Sequence, residues 1–366
     1  MIRLERRPET SVFWLYATPF AAIAATILAG SVLFLALGFD PLAALHAYFV
    51  APITDLYGLG ELTVKATPLA MIAVGLALGF RANVWNIGAE GQLTLGAIAG
   101  GGLALAFYGQ EGPWLAPLML IAGIGGGAAW AAIPAFLKTR FNANEILVSL
   151  MLTYVAGLFL SYLVTGPWKD PLGFGFPQTR LFGPGATLPS LIDGARFYIG
   201  FPIMLVVVAA GWILVSRSLI GFQIRVVGLT PPAAGYAGFS STKIVWFTLL
   251  TAGGLAGLAG TIEVAGPIGQ LTPSISPGYG FTAIIVAFLG RLHPVGILFA
   301  AHLMALSYIG GETAQIALGL PLAVTGVFQG MLLFFLLASD VLVHFRFRRV
   351  TTPTADPVVV QVREGN

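Results

Sequence analysis

Apolar residues run along this chain in long blocks, separated by short polar or Gly/Pro-rich joints. Most blocks approach the roughly 20 residues that a helix needs to cross a bilayer. We read spans at residues 12–38, 62–80, 87–107, 114–136, 144–165, 198–216, 244–264, 279–290, 294–311 and 320–340. The eighth is short, as a tilted, broken or re-entrant segment would be. The pattern predicts an all-α polytopic membrane protein of about ten transmembrane helices, ten being favoured over nine. Residues 1–345 would form one transmembrane domain, with residues 346–366 a loose cytoplasmic tail.

The charges test this count independently, because cytoplasmic loops are enriched in Lys and Arg. Arg3, Arg6 and Arg7 precede the first block. Arg81 follows the second, and Lys138 and Arg140 follow the fourth. Arg217, Arg225 and Lys243 lie between the sixth and seventh, Arg291 follows the eighth, and Arg346, Arg348 and Arg349 follow the tenth. The alternate joints hold Asp40, Asp55 and Glu61, then Glu111, then an uncharged stretch, then Glu312. Both termini are expected in the cytoplasm. The joint at 166–197 carries both signs and many Gly and Pro, as a structured outer cap would. The first block is too long for a signal-peptide core of about 7–15 residues, so we read it as an uncleaved span.

Composition agrees: 57% of the 366 residues are hydrophobic and 9% charged, with a mean hydropathy of +0.89. The net charge of +3 is carried by the joints, so it points to membrane sidedness and not to nucleic acid. The chain has no cysteine, which excludes disulfides and thiolate metal sites. None of its four lysines follows a glycine, so it lacks a phosphate-cradling GxxxxGK[ST] and cannot hydrolyse ATP through one. GxSxG and HExxH are also missing, and no cofactor is expected. Gly75/Gly79, Gly96/Gly100, Gly123/Gly127, Gly253/Gly257 and Gly326/Gly330 have the GxxxG spacing of close helix packing.

Candidate chemistry concentrates at two span starts. At the first, Trp85, Asn86, Glu90 and Gln92 head a Gly-rich apolar block. Asn86 is placed to cap the helix, which puts Glu90 in the first turn, favoured there by the helix dipole. A carboxylate in an apolar segment is costly, so two readings stand: a structural first-turn acid, or part of an inner gate or solute exit. Asn142, Asn144 and Glu145 repeat the arrangement at the fifth span. Trp85, Phe159, Tyr162, Gln92 and Thr94 are candidates for stacking on a solute or hydrogen bonding to it. Lys65 is read as snorkelling, and His302 as a packing residue. Glu263 and Gln270 flank a possible outer mouth. In the longest basic joint, 217–243, Pro231 and Pro232 suggest a short surface helix, and Gly235 and Gly238 allow a turn back.

Four segments then carry a specific resemblance: WNIGAEGQLTLGA (85–97), NEILVSLMLTYVA (144–156), RVVGLTPPAAGYAGF (225–239) and GYGFTAIIVAFLGRLHPVGILFAA (278–301). In this order they resemble permease subunits of ABC importers, in the group of simple-sugar, branched-chain amino acid and nucleoside permeases. The nucleoside-type members are nearest. Thr153 and Thr230 stand where such permeases usually carry Asn, and Gly235 where Arg is frequent. The resemblance implies an inner-membrane permease paired with a second permease, two ATPase subunits on the cytoplasmic face, and a periplasmic or lipid-anchored solute-binding protein. It places ATPase coupling on Gly228, Pro231, Ala234, Tyr236 and Gly238; from their own placement at the span starts, Trp85, Asn86, Glu90, Gln92, Asn144 and Glu145 are the candidates for the solute path or inner gate. A secondary transporter driven by H⁺ or Na⁺ is the alternative, opposed by the scarcity of interior acids.

Overall fold

The structure is a computed structural model and describes residues 2–6, 12–110, 112–192, 194–321 and 323–349. Among these, the helices are α1 (Val12–Ala36), α2 (Pro41–Phe49), α3 (Leu56–Arg81), α4 (Ala89–Ala106), α5 (Leu115–Phe141), α6 (Glu145–Thr165) and α7 (Gly200–Arg217). They continue with α8 (Leu219–Leu229), α9 (Pro231–Tyr236), α10 (Ser241–Glu263, prolonged by a π-turn at Val264–Ile268), α11 (Tyr279–Leu289), α12 (Pro294–Leu318) and α13 (Ala323–His344). Short strands β1 (Ile2–Arg6), β2 (Ser190–Ile192), β3 (Phe197–Tyr198) and β4 (Phe345–Arg349) form two antiparallel ribbons, β1–β4 and β2–β3.

Each of the ten expected spans meets a helix, but not all meet a full-length one. Seven are long and apolar enough to cross a membrane: α3, α5, α6, α7, α12, Ala17–Ala36 of α1, and Ser241–Ile268. The spans expected at 87–107, 279–290 and 320–340 fall outside this set. α4 begins two residues later than expected, at Ala89, and its 18 residues include Glu90, Gln92 and several glycines that lower its hydropathy. α11, at 11 residues, extends about 16 Å at 1.5 Å per residue, roughly half the hydrocarbon thickness. The apolar helix α2 was not anticipated; Asp40 caps it by accepting from Leu42 N at 3.0 Å.

The chain divides into two compact units. Residues 31–329 form the larger. Its centre is a layer of α3, α4, α5 and α10 brought together at glycines. A Cβ on Gly96 would lie 2.1 Å from Gly257 Cα, and one on Gly257 would lie 2.1 Å from the Gly123 carbonyl oxygen. Gly253 faces Gly127 and Ala131, and Gly75 faces Ala252. Thr261 Oγ1 lies 3.1 Å from Gly96 O, a hydrogen bond between helices. Without a hydrophobic drive between helices in lipid, such close approach supplies the association through dispersion. Gly326 and Gly330 differ: a Cβ at either would meet nothing within 4 Å among the described residues.

The smaller unit holds residues 1–30 and 330–366. In it β1 pairs with β4, residues 2–6 against 345–349, and Ser339 Oγ donates to Thr18 O at 3.3 Å. The expected tail begins inside β4, and from residue 350 it lies outside the described residues.

The glycine contacts give a direct test. Gly257→Val should destabilise the detergent-solubilised protein by at least the roughly 1–3 kcal/mol of overpacking. Gly125→Ala, where a Cβ meets nothing within 4 Å, should leave the melting temperature unchanged.

Candidate functional site

After α3 ends at Arg81, Asn83 turns the chain in the left-handed region (φ 56°) and residues 84–88 run without helix until Ala89. In lipid, exposed backbone of this kind must be satisfied by protein, and α6 supplies the partners. Trp85 N donates to Glu145 Oε1 at 3.4 Å, and Ile87 N donates to Ser149 Oγ at 3.2 Å. Glu145 is also ion-paired with Lys138. Asn144 caps α6, its Oδ1 accepting from Ile146 N at 2.9 Å and Leu147 N at 3.4 Å, as expected. The Trp85 ring stacks on Phe288 at 5.9 Å and tilts against Phe80 at 5.0 Å.

Asn86 does not cap α4; that position belongs to Gly88. Asn86 instead makes a tight local turn, its Oδ1 accepting from Gly88 N at 3.0 Å, and this turn delays the helix. Its amide also pairs face to face with that of Gln92, at 2.8 and 3.2 Å. Both side chains are buried, so Gln92 is committed to holding the segment.

A second break enters from the other end. Beyond α10 and its π-turn, residues 269–278 run without helix until α11 begins at Tyr279. Its upper part is fixed by the 166–197 joint: Thr179 and Leu271 exchange backbone and hydroxyl hydrogen bonds at 3.0 Å, and Phe182 N donates to Gly269 O at 2.8 Å. At its lower end Ser276 Oγ accepts from Gly278 N at 3.1 Å and Tyr279 N at 2.9 Å.

Glu90 joins the two breaks. Its Oε2 accepts from Gly280 N at 2.6 Å, so an acid of α4 caps α11 across 190 residues of sequence. The first turns of the two helices touch through backbone: a Cβ on Gly280 would lie 2.2 Å from Glu90 N. Gly280 is nine residues from the end of α11, about 14 Å at 1.5 Å per residue. Gly91 packs on Thr153, eight residues into α6. The expected placement of Glu90 at the basic end of the bundle is therefore corrected. It is in the first turn of its helix, but that turn lies about 14 Å from the basic end of α11 and beside the third turn of α6.

Beside Glu90 lies a cavity of about 320 Å³, lined by Glu90, Thr94, Thr153, Tyr154, Ser274 and Ser276 with the apolar Leu158, Leu160, Pro273 and Ile275. Of the expected path residues, the structure brings only Glu90 and Thr94 to it. Trp85, Asn86, Gln92 and Glu145 hold the 82–88 segment and Asn144 caps α6, while Phe159 and Tyr162 are exposed on α6 outside the lining. Thr153 was visible in sequence only as a departure from the family pattern; Tyr154, Ser274 and Ser276 gave no signal.

At the basic end, Arg81 Nε donates to Leu292 O at 2.9 Å, tying the turn after α11 to α3. Burial and the Arg81 guanidinium push His293 below its ordinary pKa. The 217–243 joint folds as α8 and α9, with Gly238 turning at φ 78°. Pro231, Tyr236 and Gly238 are exposed, Tyr236 at 95%. Ala234 is buried against Val227, Ile244 and neighbours. A Cβ on Gly228 would lie 2.0 Å from the Arg81 carbonyl oxygen. At the acidic end, Lys65 pairs with Glu312 at 2.8 Å and Arg196 with Glu61 at 2.7 Å. Burial works against the Arg196 charge, but Glu61, Tyr57 and Tyr198 hold its pKa above the ordinary value. His302 Nδ1 lies 2.8 Å from Leu298 O, the packing role expected.

Helices broken at depth around a cavity are the architecture of a membrane transporter. Residues 58–337 match the family described as branched-chain amino acid transport system / permease component, and the chain belongs to it. A glucose ABC transporter permease of Haloferax volcanii is 36% identical, over 94% of this chain and 93% of its own. Two guanosine ABC transporter permeases of Bacillus subtilis also match. One is 30% identical over 88% of this chain and 92% of its own, the other 31% over 65% and 76%. The protein is thus a multi-pass inner-membrane permease subunit of an ABC importer in the sugar and nucleoside group. A separate partner hydrolyses the ATP.

Ser149→Ala would leave Ile87 N–H without its acceptor. The expected loss is about 1–3 kcal/mol of stability, read as a lower unfolding midpoint in detergent.

Proposed function

We propose that this permease carries nucleosides, or related purine-like or sugar-like solutes, along the open side of the Glu90 cavity. The observation that carries the reading is the meeting of two helix breaks at a cavity of about 320 Å³, within the roughly 300–1,000 Å³ range of small-molecule sites. Tyr154 and Leu158 on its rim are exposed, so one chain forms only part of the wall. A second permease would complete it, and the two guanosine permeases of Bacillus subtilis favour a non-identical one. Tyr154 offers a face for a base, and the hydroxyls of Thr94, Thr153, Ser274 and Ser276 suit a sugar. The 36% identity to a glucose permease favours a hexose as the second reading.

In this reading the basic end is cytoplasmic and ten segments enter the membrane. The β1–β4 pairing of the chain ends supports an even count. Residues 1–345 act as one transmembrane domain, and residues 346–366 as its cytoplasmic tail. The ATPase grips α8 and α9 through Pro231, Tyr236 and Gly238, while Gly228 and Ala234 fix that pair to the end of α3 and to the bundle. A periplasmic or lipid-anchored binding protein delivers solute at the acidic end.

Two measurements on the reconstituted complex test this. Nucleosides, and not hexoses, should stimulate ATP hydrolysis in the presence of the binding protein; stimulation by hexoses alone would assign the sugar instead. Tyr236→Ala should cut solute-stimulated hydrolysis about tenfold or more, as loss of an exposed aromatic anchor does, with assembly unchanged. Full coupling in that variant would overturn the docking surface.

A further inference from the structure

We infer that the cavity beside Glu90 is an electrically neutral site for an uncharged, hydroxyl-rich solute, and that Glu90 makes it so by cancelling two helix ends. This rests on the reading that the cavity lies on the solute path, and deepens it to a rule of solute charge. α4 and α11 both begin at the cavity, with their first turns in backbone contact. Each helix N-terminus is equivalent to about half a positive charge, so two together present about one. In a low-dielectric site that field would draw in anions such as phosphorylated or carboxylated solutes.

One carboxylate stands at this junction. Glu90 Oε2 accepts from Gly280 N at 2.6 Å, so the carboxylate takes an N–H of the first turn of α11. Ser276 Oγ takes Gly278 N and Tyr279 N of the same helix end. The N–H groups at the start of α11 are therefore occupied by the protein, and one carboxylate is set against the field of the two helix ends. The remaining polar lining consists of the hydroxyls of Thr94, Thr153, Tyr154, Ser274 and Ser276, with no Lys, Arg, His or second acid. Hydroxyls donate and accept without charge, which suits ring hydroxyls and disfavours an amino-acid zwitterion or a phosphate. Glu90 is thus a specificity-determining residue that acts on the field of the site.

The chain has no cysteine, so Ser274→Cys or Thr153→Cys gives this subunit a single thiol, whose labelling, read on the separated subunit, reports this field. The assembled transporter would be labelled with anionic and cationic methanethiosulfonates of similar size. Each rate is divided by that of the same reagent with a free small thiol. With Glu90 present, the corrected anionic and cationic rates should agree within about threefold at both positions. With Glu90→Gln the anionic reagent should gain about tenfold or more, as expected for one removed charge in a partly dry site. A strong preference for either sign with Glu90 present, or no change with Glu90→Gln, overturns the inference. If Glu90→Gln fails to assemble, the rates at the two positions with Glu90 in place still decide it. Protection by a nucleoside or hexose reads the path separately: matched rates without any protection would sink the path and leave the neutral field standing.

Discussion

The hydrogen bond from Gly280 N to the Glu90 carboxylate, at 2.6 Å, is the contact on which the functional half of this bundle depends. A bilayer gives broken backbone no water to bond to, yet this chain breaks its helices twice at depth. Its solution is reciprocal. α6 satisfies the 82–88 segment through Glu145 and Ser149, the 166–197 joint satisfies the upper part of the 269–278 segment, and Glu90 closes the gap where the two segments meet. α11 is then held at both ends, by Glu90 at its start and by Arg81 just past its end, where the guanidinium binds Leu292 O. A half-length helix so clamped moves only if α3 or α4 moves.

That clamp is stiff because the helices behind it are packed through glycine. Gly96, Gly123, Gly127, Gly253 and Gly257 bring α4, α5 and α10 to backbone contact, so α4 has little freedom to slide or tilt. At the basic end, Gly228 lets α8 rest on the Arg81 carbonyl. The path from the exposed α8–α9 pair to the Glu90 cavity therefore runs through short, rigid steps: α8 to the end of α3, Arg81 to the turn after α11, and α11 to Glu90. With the ATPase docked on α8 and α9 as proposed, these contacts are the physical connection from that surface to the Glu90 cavity.

Much of this was legible in the sequence. Apolar block lengths foretold helices at all ten positions, the paired prolines marked the start of α9 at Pro231, Gly238 marked its turn, and Asn144 marked the α6 cap. The joints at 81–86 and 265–278 were legible as gaps between spans, but how far they reach into the bundle was not, because that depends on contacts with distant parts of the chain. Ile87 was read as the first residue of a span, and its non-helical backbone shows that it is not. The Glu90–Gly280 contact joins positions 190 apart, beyond any local pattern. Reading Asn86 as a cap began the helix two residues early and placed Glu90 at the membrane edge. Ser274 and Ser276 look like loop serines until the fold carries their loop to depth.

The central claim is that the 269–278 segment descends to the level of Glu90, about half-way across the bilayer. Spin labels at Ser276→Cys and at Asn142→Cys, with depth read by power saturation against oxygen and a water-soluble nickel chelate, test it most directly. The account predicts that the label at 276 lies about 10–15 Å below the headgroups, the depth at which α11 starts, with the label at 142 at the surface. A label at 276 that reads at headgroup level, like the one at 142, would contradict it.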